Sequence, residues 1–514
     1  MKNTAVPAVL AFLAGCSYTG FEDVHRVSDR DRDRLLRRAP FPEKVPPVEA
    51  EAPASAERLP DGRVRVRLDL REALRLALRN NAAYLAEGES LEVDLLTLEV
   101  LRRGWWPVVA PLQGSVTYRS SPDAPRTMEE DVTLSLSQKT PLGGTLSASW
   151  THQGSQPAGP DAYFGSGVVS YTQPLLRGGG HRAAVEELIS AERRHVYSRR
   201  TYDYNRLSLQ VGVVESYFGL LQQETVIRNL ELNLERARRL ADRALILEQA
   251  GRVTRADVFR SQLQVTRAEA DLARAREQIR IAQDAFKIDL GLSPAVEIEL
   301  VPERIEYRPL GIGREEAVAA ALEHHPAVLN ARDRAEDARR ALALAGNAAL
   351  PRLDATVSYG WDSAAGEDPL DLGETGLRTF AVTGSFEIPL DRHALRRDYQ
   401  KAVIACRQAE RAYLRARDTV ARDVHTRLVL LRQAELALGF ERRAIEDAQK
   451  TLERAQLDYE NGRASNRDVI DAQVELLQAQ NAYQQALVSA KISQLRLLQQ
   501  IGRLETDPEG GWLR

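Results

Sequence analysis

The chain has 514 residues, of which 43% are hydrophobic and 28% charged, and its formal net charge is -3. Without a basic surplus it cannot neutralise many phosphates, which argues against a nucleic-acid partner. Its two cysteines are too few for a disulfide framework. No run of about 18 apolar residues occurs, so the sequence offers no candidate transmembrane helix.

The N-terminus is similar to that of a bacterial lipoprotein. A short basic start is followed by an apolar stretch over residues 4–14, and Leu-Ala-Gly-Cys then ends at Cys16. This resembles a lipobox, in which the cysteine thiol receives a diacylglyceryl group before residues 1–15, the signal peptide, are removed. Ser17 favours delivery to the outer membrane. The alternative is an ordinary signal peptide with a chance cysteine.

Beyond a Pro-, Arg-, Asp- and Glu-rich stretch without periodicity, the sequence repeats itself. Gly251 and Asp257 correspond to Gly462 and Asp468 at a constant offset of 211 residues (462 − 251 and 468 − 257). Each copy has the same order of elements: helix, strands, long helix, glycine-containing turn and long helix. Because the correspondence extends over many positions, we interpret it as a tandem duplication.

The duplication predicts the organisation of the chain. A lipid-anchored linker over 16–62 precedes a first repeat over 63–292, which has strands at about 111–174 and a helical hairpin at about 181–291. A connector over 293–313 leads to a second repeat over 314–503, which has strands at about 352–390 and a helical hairpin at about 392–502. The predicted tail covers 504–514.

The two copies differ in length. Glu72 to Pro174 spans 102 residues, whereas Glu316 to Pro389 spans 73, and the extra 29 residues fall among the predicted strands of the first copy. They are enough for one additional β-hairpin.

Four segments without proline, rich in Ala, Leu, Arg, Glu and Gln, predict very long helices at roughly 181–250, 254–290, 392–460 and 466–502. At about 1.5 Å per residue, a helix of about 70 residues is on the order of 100 Å long, which suits a rod rather than a compact domain.

Apolar residues in these helices recur at alternating spacings of three and four, as Leu207, Val211 and Val214 do. Further apolar residues, such as Val213 and Tyr217, flank this stripe, so one helix can contact a neighbour on each side. Helices that do so can close into a hollow cylinder. The alternative is a two-stranded antiparallel coiled coil.

Between the helices, apolar residues alternate with Ser, Thr and Gln. The alternating segments are 111–118, 132–138, 145–151, 168–173, 353–359 and 380–388. This period of two is typical of a transmembrane β-barrel wall, and Trp and Tyr cluster nearby as they do at membrane interfaces. A few strands cannot close a pore, so several copies would have to assemble it. A soluble sandwich that caps the helices is the alternative.

The layout resembles the outer-membrane efflux protein family, of the TolC and OprM type. The resemblance covers roughly residues 65–503 and rests on the doubled order of elements and on a Gly-x5-Asp-Val turn in each copy. It implies a mainly α fold with a β membrane part. Tandem-duplicated long α-hairpins would form a trimeric α-barrel, and the strands would contribute to a shared transmembrane β-barrel.

The resemblance also implies a function. The chain would be the outer-membrane channel component of a tripartite efflux or secretion system, lipid-anchored in the bacterial outer membrane and extending into the periplasm. It would conduct substrates passively, as a homotrimer with a periplasmic adaptor (membrane fusion) protein, an inner-membrane pump and outer-membrane lipid as partners. A non-conducting, lipid-anchored coiled-coil scaffold is the alternative, but a scaffold has no use for alternating strands.

Enzymatic functions find no support in the sequence. The motifs His-Glu-x-x-His, Gly-x-Ser-x-Gly and Gly-x4-Gly-Lys-Ser/Thr do not occur. We therefore predict no catalytic residue, no cofactor and no metal site.

By position in the family, the hairpin tips would contact the adaptor, and these contacts would centre on Gly251, Arg252, Val253, Gly462, Arg463 and Ala464. Family aspartates that ring the closed periplasmic entrance match Asp468 and Asp471, and a spacing of three puts both on one helix face. Alternatively, the helix dipole alone stabilises them there.

Two further residues match family positions that form gate contacts between the hairpins, namely Tyr459 and Asp257. The arginine that the family usually has two residues after the second glycine is Ala464 here. The first copy has Arg260 where a second aspartate would fall. This asymmetry suits an inner second hairpin that faces the pore and an outer first hairpin.

Overall fold

A computed structural model describes residues 56–58, 64–121, 124–156, 162–251, 253–303, 305–362, 377–461 and 463–504. Cys16, Arg252 and Gly462 lie outside the described residues, as do the predicted signal peptide, most of the predicted linker and nearly all of the predicted tail. All described residues belong to one compact unit, Ala52–Arg514. In this part of the chain, no helix has both the length and the apolar character required to cross a membrane.

The first half of the described chain contains seven strands and four helices. In chain order these are β1 (Ala56–Arg58), β2 (Val64–Leu68), α1 (Leu70–Asn80), α2 (Ala82–Arg103), β3 (Val108–Val109), β4 (Gln113–Ser121), β5 (Ala124–Lys139), β6 (Thr145–Gln156), β7 (Ala162–Pro174), α3 (His181–Gln249) and α4 (Arg255–Asp289).

The second half has three strands and four helices. They are β8 (Glu297–Leu300), α5 (Arg314–His324), α6 (Pro326–Ala348), β9 (Arg352–Asp362), β10 (Leu377–Glu387), α7 (His393–Glu460) and α8 (Asn466–Gln500). Strand β1 lies within the segment that we predicted as a linker, and β8 lies within the predicted connector. Both join β2, which pairs antiparallel with β1 and parallel with β8.

The long helices have bounds close to the predicted ones. Helices α3 and α7 have 69 and 68 residues, and α4 and α8 have 35 residues each. Without proline, nothing in their sequences interrupts the backbone hydrogen bonds. Helix α3 packs against α4 and also against α8, which is the two-sided packing that the flanking apolar residues predicted.

Each repeat has an apolar core where its short helices meet its long ones, and the core of the first repeat also includes residues of α8. In the first repeat Leu74 of α1, Tyr217 of α3 and Phe286 of α4 are buried together beneath β2 and β8. The Tyr217 hydroxyl donates a hydrogen bond to the carbonyl oxygen of Val301, at 2.6 Å. In the second repeat Ala317 of α5 packs with residues of α7 and α8 in the same way.

Equivalent glycines end the second long helix of each repeat. Gly291 and Gly502 have φ angles of 68° and 70°, in the left-handed region that favours glycine. A Cβ at Gly291 would overlap the carbonyl group of Asn80 at the end of α1, and one at Gly502 would lie 2.7 Å from the Cβ of His324 at the end of α5. The duplication therefore extends to how closely these helix ends approach each other.

The longer strands form one antiparallel sheet. Its order is β4-β5-β6-β7-β9-β10, with the short β3 also paired to β5. Strands β7 and β9 pair directly, so the two repeats share a single sheet. The first repeat contributes four long strands and the second contributes two. The additional hairpin that the length difference predicted is therefore present.

Candidate functional site

The shared sheet has one apolar face. Side chains of directly opposed residues in an antiparallel sheet point to the same face, so the strand register shows which residues lie together. One row across five strands consists of Leu136, Ala148, Val169, Tyr359 and Phe380. The apolar alternation that the sequence showed separately in each strand is therefore in phase across the whole sheet.

Bulky side chains of this face are exposed at the sheet margin. Phe380, Val382 and Phe386 of β10 are 68%, 67% and 77% exposed. On the same face, Trp361 of β9 covers Gly167 of β7, where a Cβ would overlap the indole ring. Extended apolar surface of this kind is rare on soluble monomers, and it marks contact with a membrane or with another protein.

The opposite face of the sheet is lined by hydroxyl groups. Ser147, Ser170 and Ser358 lie in one row. The hydroxyl oxygens of Ser147 and Ser170 are 2.8 Å apart. In the next row the hydroxyl oxygens of Thr172 and Thr356 are 3.0 Å apart, which joins strand β7 of the first repeat to β9 of the second. Such a face suits contact with water.

The hairpin tips are built alike in the two repeats. The Thr254 hydroxyl and backbone N–H donate to the Asp257 carboxylate at 2.7 and 3.2 Å. The Ser465 hydroxyl and N–H donate to Asp468, both at 2.7 Å. Each pair is a reciprocal capping box that begins the returning helix.

These caps change the acidity of two predicted gate residues. The hydrogen bond from the Thr254 hydroxyl, followed by that from its N–H and the charge of Arg260, lowers the pKa of Asp257. The hydrogen bonds from Ser465 lower the pKa of Asp468 in the same way. Both carboxylates are therefore strongly anionic at neutral pH.

Asp468 and Asp471 are both exposed on α8. Asp471 accepts a hydrogen bond from the Arg467 guanidinium at 3.4 Å, and 66% of its side chain remains exposed. In the first repeat the corresponding position holds Arg260, whose guanidinium is 2.9 Å from the carboxylate of Asp257. The second tip thus presents a pair of carboxylates to solvent, and the first does not.

Asn466 of α8 joins the second tip to the first. Its side chain is only 2% exposed, and its Nδ2 donates to the backbone oxygen of Asp257 at 3.1 Å and to the Ser261 hydroxyl at 2.5 Å. The sequence did not indicate that Asn466 belongs to the site. A polar side chain in the first turn of a helix gives no sign that another hairpin covers it.

Tyr459, near the end of α7, lies beside Arg243 of α3. The Arg243 guanidinium is 5.7 Å from the centre of the Tyr459 ring and forms an ion pair with Glu460 at 3.0 Å. Burial raises the pKa of Tyr459, an effect that Arg243 opposes and Asp257 reinforces. The phenol oxygen has no hydrogen-bond partner among the described residues, so any hydrogen bond that it makes in a gate would be to another copy of the chain.

The remaining predicted tip residues lie at the surface. Gly251 and Arg463 are exposed, whereas Val253 and Ala464 are half-buried. Gly251 has a φ of 69° and ends α3 as predicted. Ala464 packs at the edge of a cluster that includes Tyr459 and Leu240, so this position contributes apolar contact between the hairpins.

Long helical hairpins that continue into a shared antiparallel sheet define a TolC-like channel fold. The crystal structure of the VceC outer membrane protein of Vibrio cholerae has the same fold, with a TM-score of 0.63, 16% identity, and coverage of 84% of this chain and 96% of VceC. The open state of the MtrE outer membrane channel of Neisseria gonorrhoeae is also similar, with a TM-score of 0.62, 18% identity, and coverage of 84% and 88%.

Sequence comparison gives the family. The chain matches the outer membrane efflux protein family over residues 120–291 and 317–503, more than half of its length, and it belongs to that family. The outer membrane efflux protein BepC of Brucella suis biovar 1 (strain 1330) is 24% identical over 441 residues, which are 84% of this chain and 91% of BepC.

Proposed function

We propose that three copies of this chain form an outer-membrane channel that conducts substrates passively from the periplasm to the exterior. The observation that carries the proposal is the sheet, which has one apolar and one hydroxyl-lined face and is continuous with helices on the order of 100 Å long. The apolar face would contact lipid, and the serine and threonine face would line water.

The margins of the sheet support assembly from several copies. Within the described residues, β10 pairs only with β9, and β4 pairs only with β5. Unpaired margins of this kind invite pairing with another chain, and a closed barrel removes them. Phe259 and Ile281 of α4 and Phe440 of α7 are exposed, which gives the helical part apolar surface for contact between copies.

The second hairpin tip would form the periplasmic gate. In a trimer, Asp468 and Asp471 would stack as two rings of three carboxylates, which concentrate negative potential at the entrance and bind cations. Asn466 and the stacked pair of Arg243 and Tyr459 would hold this tip against the first hairpin in the closed state.

The other predicted tip residues would contact a periplasmic adaptor protein, which in turn engages an inner-membrane pump. These residues are Gly251, Val253, Arg463 and Ala464, together with Arg252 and Gly462 outside the described part of the chain. We also propose that Cys16 is acylated and anchors the chain in the outer membrane. Several acyl chains on one cysteine provide affinity of about 0.8 kcal/mol per buried CH2 group.

Size determination in detergent followed by single-channel recording in planar bilayers tests the proposal. We expect a trimer with discrete openings. A silent trimer would be a closed gate, and the Asp468→Asn/Asp471→Asn variant should then conduct. A monomer that stays soluble without detergent after Cys16→Ser substitution would overturn the channel and favour the scaffold.

A further inference from the structure

Comparison of the strands of the two repeats identifies which strands form the additional hairpin. Residues 115–118 of β4 (Ser-Val-Thr-Tyr) correspond to residues 356–359 of β9 (Thr-Val-Ser-Tyr). Strand β7 corresponds to β10, since Pro174 and Pro389 stand at equivalent points before the long helices. The strands without a counterpart in the second repeat are therefore β5 and β6.

The β5–β6 hairpin lies inside the sheet. Strand β5 pairs with β4 from Gln113↔Thr133 to Arg119↔Thr127, and β6 pairs with β7 from Thr145↔Thr172 to Ser155↔Ala162. If the hairpin were an appendage, β4 and β7 would pair with each other, as β9 and β10 do in the second repeat. Instead they are three strand spacings apart, which is about 14 Å.

Both faces of the hairpin are in phase with the rest of the sheet. On the apolar face, Leu134 of β5 is opposite Trp150 of β6. On the polar face, the Ser115 hydroxyl of β4 donates to the Asp131 carboxylate of β5 at 3.4 Å. A shift of the strand register by one residue would move the apolar side chains of the hairpin to the polar face of the sheet. The observed register instead continues both faces of the sheet through the hairpin, as expected for a segment of the wall.

We infer that the β5–β6 hairpin is an integral part of the channel wall and widens its exit, an inference that rests on the proposed trimeric channel. Three copies with six long strands each would form a wall of eighteen strands. Three copies with two long strands per repeat, as in the second repeat, would form one of twelve. Because barrel diameter grows linearly with strand number, the exit is about 1.5-fold wider than it would be without the hairpin.

The hairpin therefore determines how large a solute the outer part of the channel admits. The tips of the long helices lie at the other end of α3, so the width of the exit and the opening of the entrance are set by separate parts of the chain.

Deletion of residues 124–156 tests the inference. The variant joins 122–123 directly to 157–161, so that β4 leads into β7. We expect trimers whose β end has a diameter about one third smaller in electron micrographs, with the helical part unchanged. The largest polyethylene glycol that enters from the exit side should also be smaller. A trimer with an unchanged β end would overturn the inference.

Disulfide cross-linking in the full-length chain decides the question even if the deletion variant does not fold. In a Cys406→Ala background, we expect cross-links for Ser115→Cys/Asp131→Cys and for Ser147→Cys/Ser170→Cys, whose side chains are in contact. The matched control is Ser115→Cys/Val168→Cys, which is equivalent to Thr356↔Thr383 of the second repeat.

The control pair can cross-link only if the hairpin is looped out and β4 pairs with β7, and that result would overturn the inference. These cross-links form within one copy and report on the sheet in any oligomeric state. A chain that shows the expected cross-links but forms no trimer would therefore contradict the proposed channel, and with it the wider exit, but not the position of the hairpin.

Discussion

The two repeats have the same backbone plan but have diverged at both ends. At the sheet, the first repeat has four long strands and the second has two. At the tips, both repeats have the same capping box, but the residues around it differ. Arg255 of the first repeat is exposed, whereas its counterpart Asn466 is buried, and Arg260 stands where the second repeat has Asp471.

This comparison separates residues that maintain the duplicated fold from those that specialise it. The threonine and serine caps and the left-handed glycines serve the backbone, and they are the same in kind in both copies. Asp471 and the buried Asn466 of the second tip have no equivalent in the first, which has Arg260 and Arg255 at these positions. Both belong to the proposed gate, and the following predictions test that division.

The largest expected effect is on folding, at a glycine that serves the backbone. Gly291→Ala adds a Cβ that overlaps Asn80 at a φ of 68°. The strain and the overlap should together cost about 3 kcal/mol, seen as a lower midpoint of thermal unfolding in detergent. Gly251→Ala is the control, because its φ is 69° but no heavy atom of the described residues, its chain neighbours aside, lies within 4 Å of the added Cβ.

Gly251→Ala should therefore cost only about 1 kcal/mol. Equal losses at the two positions would show that the close approach of α1 is unimportant. Gly502→Ala, in the second repeat, should behave like Gly291→Ala, because its added Cβ meets His324. Unequal losses of stability in the two variants would mean that the packing at these helix ends differs between the repeats although the backbone conformation is the same.

The next largest effect concerns the contact between the tips. Asn466→Ala removes two hydrogen bonds to the first hairpin, worth about 1–3 kcal/mol together. We expect the resting open probability of single channels to rise on the order of tenfold or more. Asn461→Ala is the matched control, since among the described residues the Asn461 side chain bonds only to Leu457 of its own helix. If both variants open equally, Asn466 does not hold the gate.

A somewhat smaller effect is expected from the exposed carboxylates. Asp468→Asn/Asp471→Asn keeps the side-chain shapes but removes the charge of both proposed rings. Block of the channel by divalent cations should weaken about tenfold, since the focused negative potential is lost. The control is Asp271→Asn in α4, whose carboxylate is paired with Arg274 of the same helix. Unchanged block in the double variant would remove the gate assignment of Asp468 and Asp471.

The smallest effect is the response of the caps to pH. The folded-state pKa values of Asp257 and Asp468 are lowered, so the caps stabilise the helix starts above the unfolded pKa of about 3.9. This stabilisation is lost as the pH falls through the folded pKa values. Amide exchange in the first turns of α4 and α8, corrected for intrinsic rates, should therefore lose protection only in strong acid.

Ser465→Ala should remove that pH response in α8 and leave it in α4. If protection in both helices is independent of pH down to pH 2, the carboxylates do not stabilise the helix starts. If protection is already lost near pH 6, a group other than these carboxylates determines the stability of the helix starts.

Much of the fold follows from local sequence, because local interactions decide it. Absence of proline and an excess of Ala, Leu, Glu and Arg were enough to predict the four long helices. The caps at Thr254 and Ser465 are local in the same sense, because each cap and the residue it bonds are three positions apart. The alternation in β4, β6 and β10 likewise identified strands and separated their faces.

Residues of the candidate site could be predicted only where the evidence for them lies in the local sequence of one helix. Asp468 and Asp471 were proposed as gate residues from the family resemblance, and their spacing of three placed both on one helix face. Arg243 and Asn466 were missed, because their contacts are with residues more than 200 positions away. Strand β1 was not predicted for a similar reason, since that strand is stabilised by pairing with β2 and not by its own composition.

The sequence by itself determined the duplication, the helix lengths, the turns and the existence of an additional hairpin, because each depends on residues close together along the chain. The tertiary structure alone decided the order of the strands, the pairing of β7 with β9, and the burial of Asn466. Strand neighbours and contacts between hairpins are set by where distant segments meet. The role of the β5–β6 hairpin as part of the channel wall could therefore be inferred only from the assembled sheet.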